Sequence, residues 1–599
     1  MSHYASDTPK TFVLCFDGTG NKFKGDDSDS NVLKIFRMLD REGQQFHYYQ
    51  PGIGTYVSST TVGSSGVFSR IKHSFIKAKD SAIGSSFAHH VLGGYRFLMR
   101  YYSPGDDIYF FGFSRGAYTA RFLAEMLDFI GLLSIGNEEL VQFAWQTFAK
   151  WQQRGDDSEE DITERQKLFC FMKAFRETFS RPVERIRFLG LFDTVNSVPK
   201  FESPWMERSR FPYTARSTAK VIRHAVGIDE RRAKFRQDLI SENQPSRKRA
   251  YSRNPPPHEK NGTKPSNGAS SKQSSHFTSH LSTFQSENRY RPSHRRYPVS
   301  RRSSLPIPTH EAPADSTGPT DEISPVAPAA PDTDSVESDQ SVQDIQEVWF
   351  PGGHADIGGG WNHMPGEIWP LSHAPLVWMV HEAERAGLQF DERKLKQFEC
   401  AVEFEGEVTP ILSGWEFHQT PPKTQPEIKI EGEPCTEVHT NGVTHQSDSC
   451  ISFHRALELS STKGHLHDCL SFKAGLSTMS VLSWNVMEYL PFKRMDLQED
   501  GSWTPIRWPL PRGEVRDIPL GAHIHNSAIR RMKADPKYRP GNLIIGGGGR
   551  GVKKAPKALG MGAWVVSDYE GDMVRETYVR ESLSKNGSQK NGVQNNGGQ

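Results

Sequence analysis

A serine between two glycines, at the end of an apolar run, has the spacing of a catalytic nucleophile. Residues 107–118 read Asp-Ile-Tyr-Phe-Phe-Gly-Phe-Ser-Arg-Gly-Ala-Tyr and predict a buried strand, a Gly-x-Ser-x-Gly turn and the start of a helix. Gly112 and Gly116 suit this turn because a β-carbon at either position would clash where strand and helix approach. The backbone N–H of Arg115, at the positive end of the helix, would face a developing oxyanion. We therefore predict that Ser114 is a nucleophile; the alternative is an ordinary surface turn.

A serine nucleophile needs a base and an orienting acid, and two later apolar runs end in such residues. The run Ile186–Phe192 is followed by Asp193, and the run Glu347–Phe350 leads into a glycine-rich loop that contains His354. The carboxyl ends of parallel strands meet at one edge of a sheet, where catalytic groups collect. The order Ser, Asp, His is also the one found in α/β-hydrolases. We predict Asp193 as the acid and His354 as the base.

Both assignments have alternatives. Asp193 has the residue type of a helix N-cap. His354 has that of a loop histidine bound to the backbone, or of a metal ligand acting together with Asp356. One histidine and one carboxylate fall short of a metal-ligand set, so we predict no metal site.

The loop after the first predicted strand offers further backbone donors. The strand Phe12–Phe16 runs into Asp17-Gly18-Thr19-Gly20-Asn21, and an N–H group of Gly18 or Thr19 is expected to complete the oxyanion hole with Arg115. A nucleotide-binding P-loop would need Gly-Lys-Ser/Thr after the glycines, which this loop lacks. A phosphotransferase that uses Asp17 as its nucleophile would leave the Ser114 turn without a purpose.

Five separated motifs in one order resemble a known family. They are Phe16–Asn21, Gly112–Ala117, Phe192–Val195, His224–Ala225 with Asp229–Arg232, and Trp349–Gly352 with His354 and Asp356–Gly360. They look like the motifs of an uncharacterised α/β-hydrolase family that is related to the catalytic domain of the first class of type VI secretion phospholipase effectors and includes many fungal proteins. The resemblance covers about residues 10–385 apart from one insert. It implies a lipase-like or phospholipase-like domain with its catalytic roles on Ser114, Asp193 and His354.

The same motifs contain other groups that remain open as candidates. Asp17, Asp229 and Asp356 lie in family-like motifs and are alternatives to Asp193 as the acid. His224 is a secondary candidate for the site.

Composition excludes several other classes. The formal net charge of +2 indicates no particular class of partner. The six cysteines form neither a Cys-x-x-Cys pair nor a dense cluster, so we expect no zinc site, no disulfide framework and a reducing compartment. The first ten residues lack the apolar core of a secretory signal, and no run of about 18 apolar residues could span a membrane. We expect a soluble cytoplasmic enzyme that needs no cofactor and reaches an ester or lipid substrate by peripheral membrane contact. A single Gly-Arg-Gly at residues 549–551 does not support nucleic-acid binding.

Alternating strand and helix signals predict a mostly parallel sheet flanked by helices, and the resemblance implies that this fold is α/β-hydrolase-like. The segment Asn137–Phe179 is predicted to be helical throughout, and its aromatic residues either form a cap over the site or are buried faces of helices. The predicted elements include helices at Ser30–Leu39, Ser81–Tyr102 and Ile524–Met532, a strand at Phe46–Tyr49 and an ordered patch at Trp564–Tyr578.

The predicted domains are the first part of the catalytic domain (10–241), a disordered insert (242–343), the second part of the catalytic domain (344–390), an appended C-terminal region (391–580) and a disordered tail (581–599).

The predicted insert is rich in Ser, Pro and Asn, with a basic first half and an acidic second half. Its Arg301-Arg302-Ser303-Ser304 sequence resembles a substrate of basic-directed kinases, and a phosphoserine-binding adaptor is a predicted partner there. The alternative is a solvated basic stretch.

Two hypotheses for function follow. The first is a serine hydrolase of ester bonds, with a lipid as the expected substrate. The second is a catalytically inactive hydrolase fold that serves as a scaffold for its phosphorylatable insert.

Overall fold

A nine-stranded sheet forms the centre of the part of the chain that the structure describes. The structure is a computed structural model of the 599-residue chain. It describes residues 9–52, 87–153, 159–195, 219–240, 290, 343–401, 448–489, 495–497, 503–505, 512–519, 521–544 and 552–581.

The central sheet is built from strands of both halves of the chain. Its members are β1 (Thr11–Phe16), β2 (Gln45–Gln50), β3 (Asp107–Phe113), β6 (Ile186–Phe192), β7 (Ala219–Gly227), β8 (Asp344–Phe350), β11 (His523–His525), β12 (Trp564–Asp568) and β13 (Thr577–Arg580). The order across the sheet is β12-β13-β11-β8-β7-β6-β3-β1-β2. All neighbours from β2 to β11 pair in parallel, and β13 pairs antiparallel with β11 and β12. The prediction of a mostly parallel sheet flanked by helices is confirmed.

Helices cover both faces of this sheet. They are α1 (Asn31–Met38), α2 (87–101), α3 (Arg115–Ile130), α4 (Val141–Gln153), α5 (Glu159–Phe179), α6 (His354–Gly358), α7 (His373–Arg385), α8 (Glu392–Gln397), α9 (Asp448–Lys463), α10 (Thr478–Met487) and α11 (Asn526–Ala534). Two short strand pairs lie apart from the sheet, β4 (Leu132–Leu133) with β5 (Ser180–Arg181) and β9 (Met495–Leu497) with β10 (Trp503–Pro505). Short 3-10 helices cover Glu138–Leu140 and Ala233–Phe235.

Alternation of side chains along the central strands produces two separate cores. Phe12, Leu14 and Phe16 of β1 pack on one face with residues of α2 to α5. Val13 and Cys15 pack on the other face with residues of α1 and α7. Because successive side chains of a strand point to opposite faces, a strand covered on both sides is apolar throughout, and this explains the unbroken apolar runs of the sequence.

The region between β4 and β5 differs in part from the prediction. Residues 137–179 were expected to be helical throughout, but the structure has the 3-10 turn followed by α4 and α5, and residues 154–158 lie outside the described part. Of the two interpretations of the aromatic residues, the buried one applies to Trp145, Phe148 and Trp151, which belong to the core against α3. Their burial follows from the helical spacing of large apolar side chains.

Near the C-terminus the predicted helix at Ile524–Met532 starts two residues too early. Ile524 and His525 belong to β11, and α11 begins at Asn526. Strands β11, β12 and β13 extend the same sheet as the strands of the first half. The division of the chain at residue 390 remains a prediction.

Most of the predicted insert lies outside the described residues, including Ser303 and Ser304, so the adaptor site stays a prediction. The structure describes two residues of the segment 242–343. Tyr290 donates its backbone N–H to the carbonyl of Asp128 (2.8 Å) and its hydroxyl to that of Ser180 (3.1 Å), and Gln343 donates to the carbonyl of Ala219 (2.6 Å). Of the predicted tail, residues 582–599 lie outside the described part as well.

Candidate active site

Ser114 occupies a strained turn between β3 and α3, at the carboxyl end of an inner strand of the sheet. Its backbone dihedrals are φ 58° and ψ −122°, in a region that residues with a side chain rarely adopt. A β-carbon on Gly112 would lie 2.4 Å from the Cα of Ala117, and one on Gly116 would lie 2.2 Å from the carbonyl oxygen of Phe16. Gly112 is therefore required by the close approach of β3 and α3, and Gly116 by that of α3 and the end of β1. The strand–turn–helix context predicted around Ser114 is confirmed.

A continuous chain of hydrogen bonds links Ser114, His354 and Asp193. The Ser114 Oγ lies 2.7 Å from His354 Nε2, and His354 Nδ1 lies 2.5 Å from Asp193 Oδ2. One neutral tautomer satisfies both bonds, with Nδ1–H donating to the carboxylate and Nε2 accepting from the hydroxyl. In this arrangement His354 can accept the proton of Ser114 while the carboxylate holds its ring.

The three side chains meet because three strand ends lead toward one point. Ser114 follows β3 and Asp193 follows the neighbouring β6, whereas His354 follows β8, which is separated from β6 by β7. The loop after β8 crosses the end of β7, where the N–H of Asp229 donates to the carbonyl of Gly352 (2.9 Å). This crossing carries His354 past β7 toward the ends of β6 and β3, where it meets Asp193 and Ser114. The short helix α6 follows this loop, and His354 is its first residue.

Asp193 is fully buried and held by several donors. Its own φ is +42°, and its Oδ1 accepts the backbone N–H of Gly227 (2.8 Å). The guanidinium of Arg516 binds both carboxylate oxygens, Nη1 to Oδ1 at 2.5 Å and Nη2 to Oδ2 at 2.8 Å. Burial alone would raise the pKa of Asp193, but Arg516 and His354 outweigh it and hold the pKa well below its usual range.

His354 lies between two aromatic rings. The ring centroids of Phe113 and Phe235 are 4.9 Å and 4.7 Å from that of His354. Burial lowers the pKa of His354 below its ordinary value, although the hydrogen bond to Asp193 acts in the opposite direction. The imidazole is thus favoured in its neutral form, which is the form a base requires.

The backbone of His354 is fixed by a second buried ion pair. Its N–H donates to Glu230 Oε2 (3.0 Å), and Glu230 accepts two bonds from the guanidinium of Arg232 (2.9 and 2.8 Å). Burial by itself would raise the pKa of Glu230, but Arg232 lowers it to about 2. This pair anchors the start of α6 and so the position of the histidine.

The loop after β1 packs against the serine turn. A β-carbon on Gly18 would lie 2.5 Å from the Phe113 ring, and the Arg115 guanidinium hydrogen-bonds to Thr19 Oγ1. The N–H of Gly18 donates to Asp17 Oδ1 (2.7 Å). The structure therefore brings Arg115, Gly18 and Thr19 to the site, but the Gly18 N–H is directed at a carboxylate.

The alternative acid Asp17 organises this loop instead of contacting His354. Its carboxylate accepts the hydroxyls of Ser30 (2.6 Å) and Tyr49 (2.7 Å) and the side-chain amide of Asn21 (3.1 Å). Burial raises its pKa.

His224 supports the segment after Asp193. Its Nε2 accepts the N–H of Thr194 (3.1 Å) and its Nδ1 lies 2.9 Å from Glu347 Oε1. Both ring nitrogens are thus bound within the protein core, and the residue orders the backbone next to Asp193.

The other two alternative acids bind elsewhere. Asp356 accepts Nδ1–H of His467 (2.7 Å) and the N–H of Gly353 (2.9 Å). Asp229 accepts the hydroxyl of Tyr538 (2.8 Å), and burial raises its pKa to about 6. Of the four carboxylates that the sequence left open, only Asp193 bonds to His354 in the described structure.

Sequence reasoning missed Arg516, Phe235 and the role of Glu230. Glu230 stood in a recognised motif and could have been found there. Arg516 lies in a segment without helix or strand, and nothing in its sequence surroundings distinguishes it from other arginines.

Within the described ranges, no group of three or more His, Cys, Asp and Glu side chains could hold a metal ion. In the same ranges no helix is long and apolar enough to cross a membrane.

The chain is similar to several known proteins. Residues 10–382 match the family model described as "T6SS, Phospholipase effector Tle1-like, catalytic domain". The Saccharomyces cerevisiae protein "Uncharacterized protein YEL023C" is 30% identical over 569 residues, which cover 90% of this chain and 81% of that protein.

Two solved structures show lower similarity. An uncharacterized protein from Pseudomonas aeruginosa has 18% identity and a TM-score of 0.27, covering 65% of this chain and 48% of that one. The Tle1 effector bound to the VgrG spike of the type 6 secretion system has 17% identity and a TM-score of 0.21, covering 40% of this chain and 48% of that one. The chain thus spans about half the length of each of these structures.

The family match extends over more than half of the chain and includes the strands that carry Ser114, Asp193 and His354. The chain therefore belongs to the family of Tle1-like phospholipase effector catalytic domains.

Proposed function

We propose that this protein is a serine hydrolase that cleaves the ester bonds of lipids, as a lipase or phospholipase. The observation that carries the proposal is the hydrogen-bond chain from Ser114 Oγ through His354 to Asp193, with distances of 2.7 and 2.5 Å. Membership of a phospholipase-effector domain family supports a lipid ester as the substrate class.

In the acylation step, His354 Nε2 takes the proton of Ser114 as its Oγ attacks the ester carbonyl carbon. Asp193 stabilises the imidazolium that forms. Collapse of the tetrahedral intermediate breaks the ester bond, and His354 donates its proton to the leaving alkoxide. A water molecule then attacks the acyl-serine while His354 takes its proton. Collapse of this second intermediate breaks the bond to Ser114 Oγ, His354 returns the proton to that oxygen, and the fatty acid is released.

The negative charge of the tetrahedral intermediate requires donors on one side of Ser114. We assign this role to the backbone N–H of Arg115, at the N-terminus of α3, and to that of Thr19 in the loop after β1. Thr19 is preferred to Gly18 because the Gly18 N–H donates to Asp17.

The surroundings of the site favour a lipid over a soluble ester. Ser114 is only 3% exposed, and Phe235 links His354 to Trp484 of α10, with Phe235 and Trp484 ring centroids 5.5 Å apart. Helix α10 has no charged residue, yet Met479, Leu482 and Val486 are 74%, 46% and 65% exposed. Exposed apolar side chains that are grouped beside a site favour its contact with an apolar surface such as a lipid bilayer.

The hydrolase proposal is tested with a fluorophosphonate probe, which labels an activated serine and not an ordinary one. The wild-type protein should be labelled, and Ser114→Ala should not. Equal labelling of both proteins would contradict the proposal, and absence of labelling in both would favour the inactive scaffold.

The lipid part is tested by comparing p-nitrophenyl esters of increasing chain length with phospholipid vesicles. Activity should rise with chain length and on presentation in vesicles. Combined Met479→Ser, Leu482→Ser and Val486→Ser substitutions should lower the vesicle activity and leave hydrolysis of a short ester unchanged.

A matched control is Ile135→Ser, an equally exposed apolar residue beyond the far end of α3, whose 16 residues span about 24 Å. It should affect neither activity. Preference for short esters without a response to vesicles would remove the lipase assignment and leave the serine hydrolase.

A further inference from the structure

The carboxylate of Asp193 is held by an arginine from beyond the part of the chain that matches the family model. Arg516 follows the matched residues 10–382 by more than a hundred positions. Its side chain is fully buried, with 0% exposure. The fork of its guanidinium meets both oxygens of Asp193, at 2.5 and 2.8 Å, which is the bidentate geometry that arginine alone among the side chains provides.

Every N–H group of this guanidinium has an acceptor. Besides the two bonds to Asp193, Nη1 donates to the carbonyl of Gly227 (3.0 Å), and Nη2 and Nε donate to that of Phe235 (2.6 and 3.2 Å). An arginine has five such donors, and all five are occupied. Arg516 therefore has no donor left for a substrate.

The backbone around Arg516 is fixed as well. Its carbonyl oxygen accepts the side-chain amide of Asn542 (2.9 Å), which also donates to the carbonyl of Ile228 (3.0 Å). The backbone carbonyls that accept bonds from Arg516 thus lie at the end of β7 and in the turn that carries Phe235, and both segments border His354.

We infer that Arg516 is a positioning residue of the site, which fixes the orientation and the ionised state of the Asp193 carboxylate that His354 requires. The inference rests on the proposed hydrolase function. It assigns to the C-terminal region a part in the chemistry of a site whose other members come from the matched domain.

Orientation is the first component of this role. A carboxylate can rotate about its Cβ–Cγ bond, and only one rotation directs Oδ2 at His354 Nδ1 while Oδ1 accepts the Gly227 N–H. Two parallel bonds to a buried planar group fix that rotation. A lysine would keep the charge but would lose the second bond and the planar match.

Charge is the second component. The charged groups around His354 are Asp193, Glu230 and Arg232, with Arg516 on the far side of Asp193. The competent form of the coupled Asp193–His354 pair is the one that carries a single proton, on Nδ1 of the imidazole. At lower pH the pair carries a second proton, which it must lose to reach this form. Removal of the positive charge of Arg516 makes that loss harder, so the apparent pKa of the pair must rise.

The experiment compares four variants: Arg516→Met, Arg516→Lys, Arg223→Met and Ser114→Ala. Arg223 is a matched control because it is also a buried arginine with two bonds to carboxylate oxygens, one from Glu382 (2.5 Å) and one from Asp344 (2.6 Å), and neither residue contacts the site. Melting temperature, probe labelling, kcat and KM for a soluble ester, and the pH dependence of kcat/KM are measured for each.

For Arg516→Met we expect kcat to fall by about 10²-fold, less than the roughly 10⁴-fold expected for loss of a triad aspartate. KM should stay unchanged because Arg516 does not reach the substrate. The acid limb of kcat/KM should move up by about one pH unit. Arg516→Lys should lose about tenfold in kcat, with its acid limb close to the wild-type position.

Arg223→Met should lower the melting temperature while the folded protein retains wild-type kcat and pH dependence. A wild-type kcat and acid limb in Arg516→Met would overturn the inference, as would a loss of kcat no greater than that of Arg223→Met. If Arg516→Met does not fold, a wild-type kcat in folded Arg516→Lys would overturn it as well. Activity that survives in Ser114→Ala, or no activity in the wild type, would instead refute the proposed function itself.

Discussion

Two buried Asp–His pairs lie close together in this protein, and only one of them has a serine at its other end. In the first, Asp193 binds Nδ1 of His354, whose Nε2 meets Ser114. In the second, Asp356 binds Nδ1 of His467 at 2.7 Å. No side chain in the described part of the chain hydrogen-bonds to Nε2 of His467. The Asp–His hydrogen bond is thus common to both pairs, and the contact with Ser114 distinguishes the first from the second.

The carboxylates of the two pairs are also stabilised differently. Asp193 is paired with the full charge of Arg516, whereas Asp356 accepts the backbone N–H groups of Gly353 (2.9 Å) and His467 (3.1 Å). The ring of His467 is stacked on Trp361, with centroids 4.4 Å apart and planes at 5°. The second pair therefore has the features of a structural clamp between α6 and the loop that precedes α10.

The pairs are connected through α6, which carries both His354 and Asp356. Residues two apart on a helix do not face each other. His354 thus faces Ser114 while Asp356 faces His467, and the second pair helps to hold the helix that positions the first.

The largest effect is expected from removal of the Ser114 hydroxyl, which distinguishes the first pair from the second. Ser114→Ala should reduce turnover by about 10⁶-fold, the loss expected when the nucleophile of a triad is removed. The fold should survive, because the substitution removes one small hydroxyl. Ester hydrolysis and thermal unfolding of the same preparation check both statements. Retention of substantial turnover would place the chemistry elsewhere.

The next test exchanges each aspartate for asparagine. Asp193→Asn should lower kcat by about 10⁴-fold, because the amide favours the wrong tautomer of His354. Asp356→Asn is the matched control and should lower kcat by roughly tenfold or less, since its carboxylate does not contact His354. The opposite ranking of the two variants would make Asp356 the acid.

The pH dependence tests the state of His354. Burial lowers the pKa of this histidine, so its neutral form persists to a lower pH than that of an exposed histidine. The acid limb of kcat/KM should have its midpoint below pH 6.5, the usual pKa of histidine. Below that midpoint, kcat/KM should fall about tenfold for each unit by which the pH decreases. Hydrolysis of a soluble ester between pH 4 and 8 measures it; a midpoint above 6.5 would show that Asp193 outweighs burial.

The smallest effect is expected in the second pair. His467→Leu removes a hydrogen bond to a buried carboxylate and should lower the free energy of unfolding by about 1–3 kcal/mol. Turnover of the folded protein should change little. Denaturant unfolding followed by kinetics on the same sample distinguishes the two effects, and a loss of turnover as large as that of Asp193→Asn would show that His467 takes part in the chemistry.

The sequence alone determined the local features of this protein. The glycines at positions 112 and 116 predict the turn at Ser114, because Gly112 permits the close approach of β3 to α3 and Gly116 that of α3 to the end of β1. The strand ends before Asp193 and His354 followed from apolar runs that must be covered on both faces. Five motifs in one order also identified the family, which the match over residues 10–382 confirms.

Tertiary structure decided which of these residues meet. Asp17, Asp193, Asp229 and Asp356 are indistinguishable as residue types in motifs, and the choice among them depends on how the loop after β8 crosses the end of β7. The sequence did not indicate the contact between Arg516 and Asp193 for the same reason. Arg516 follows Asp193 by 323 positions, and a contact over such a separation leaves no local pattern, since propensity and periodicity record only the neighbours of a residue along the chain.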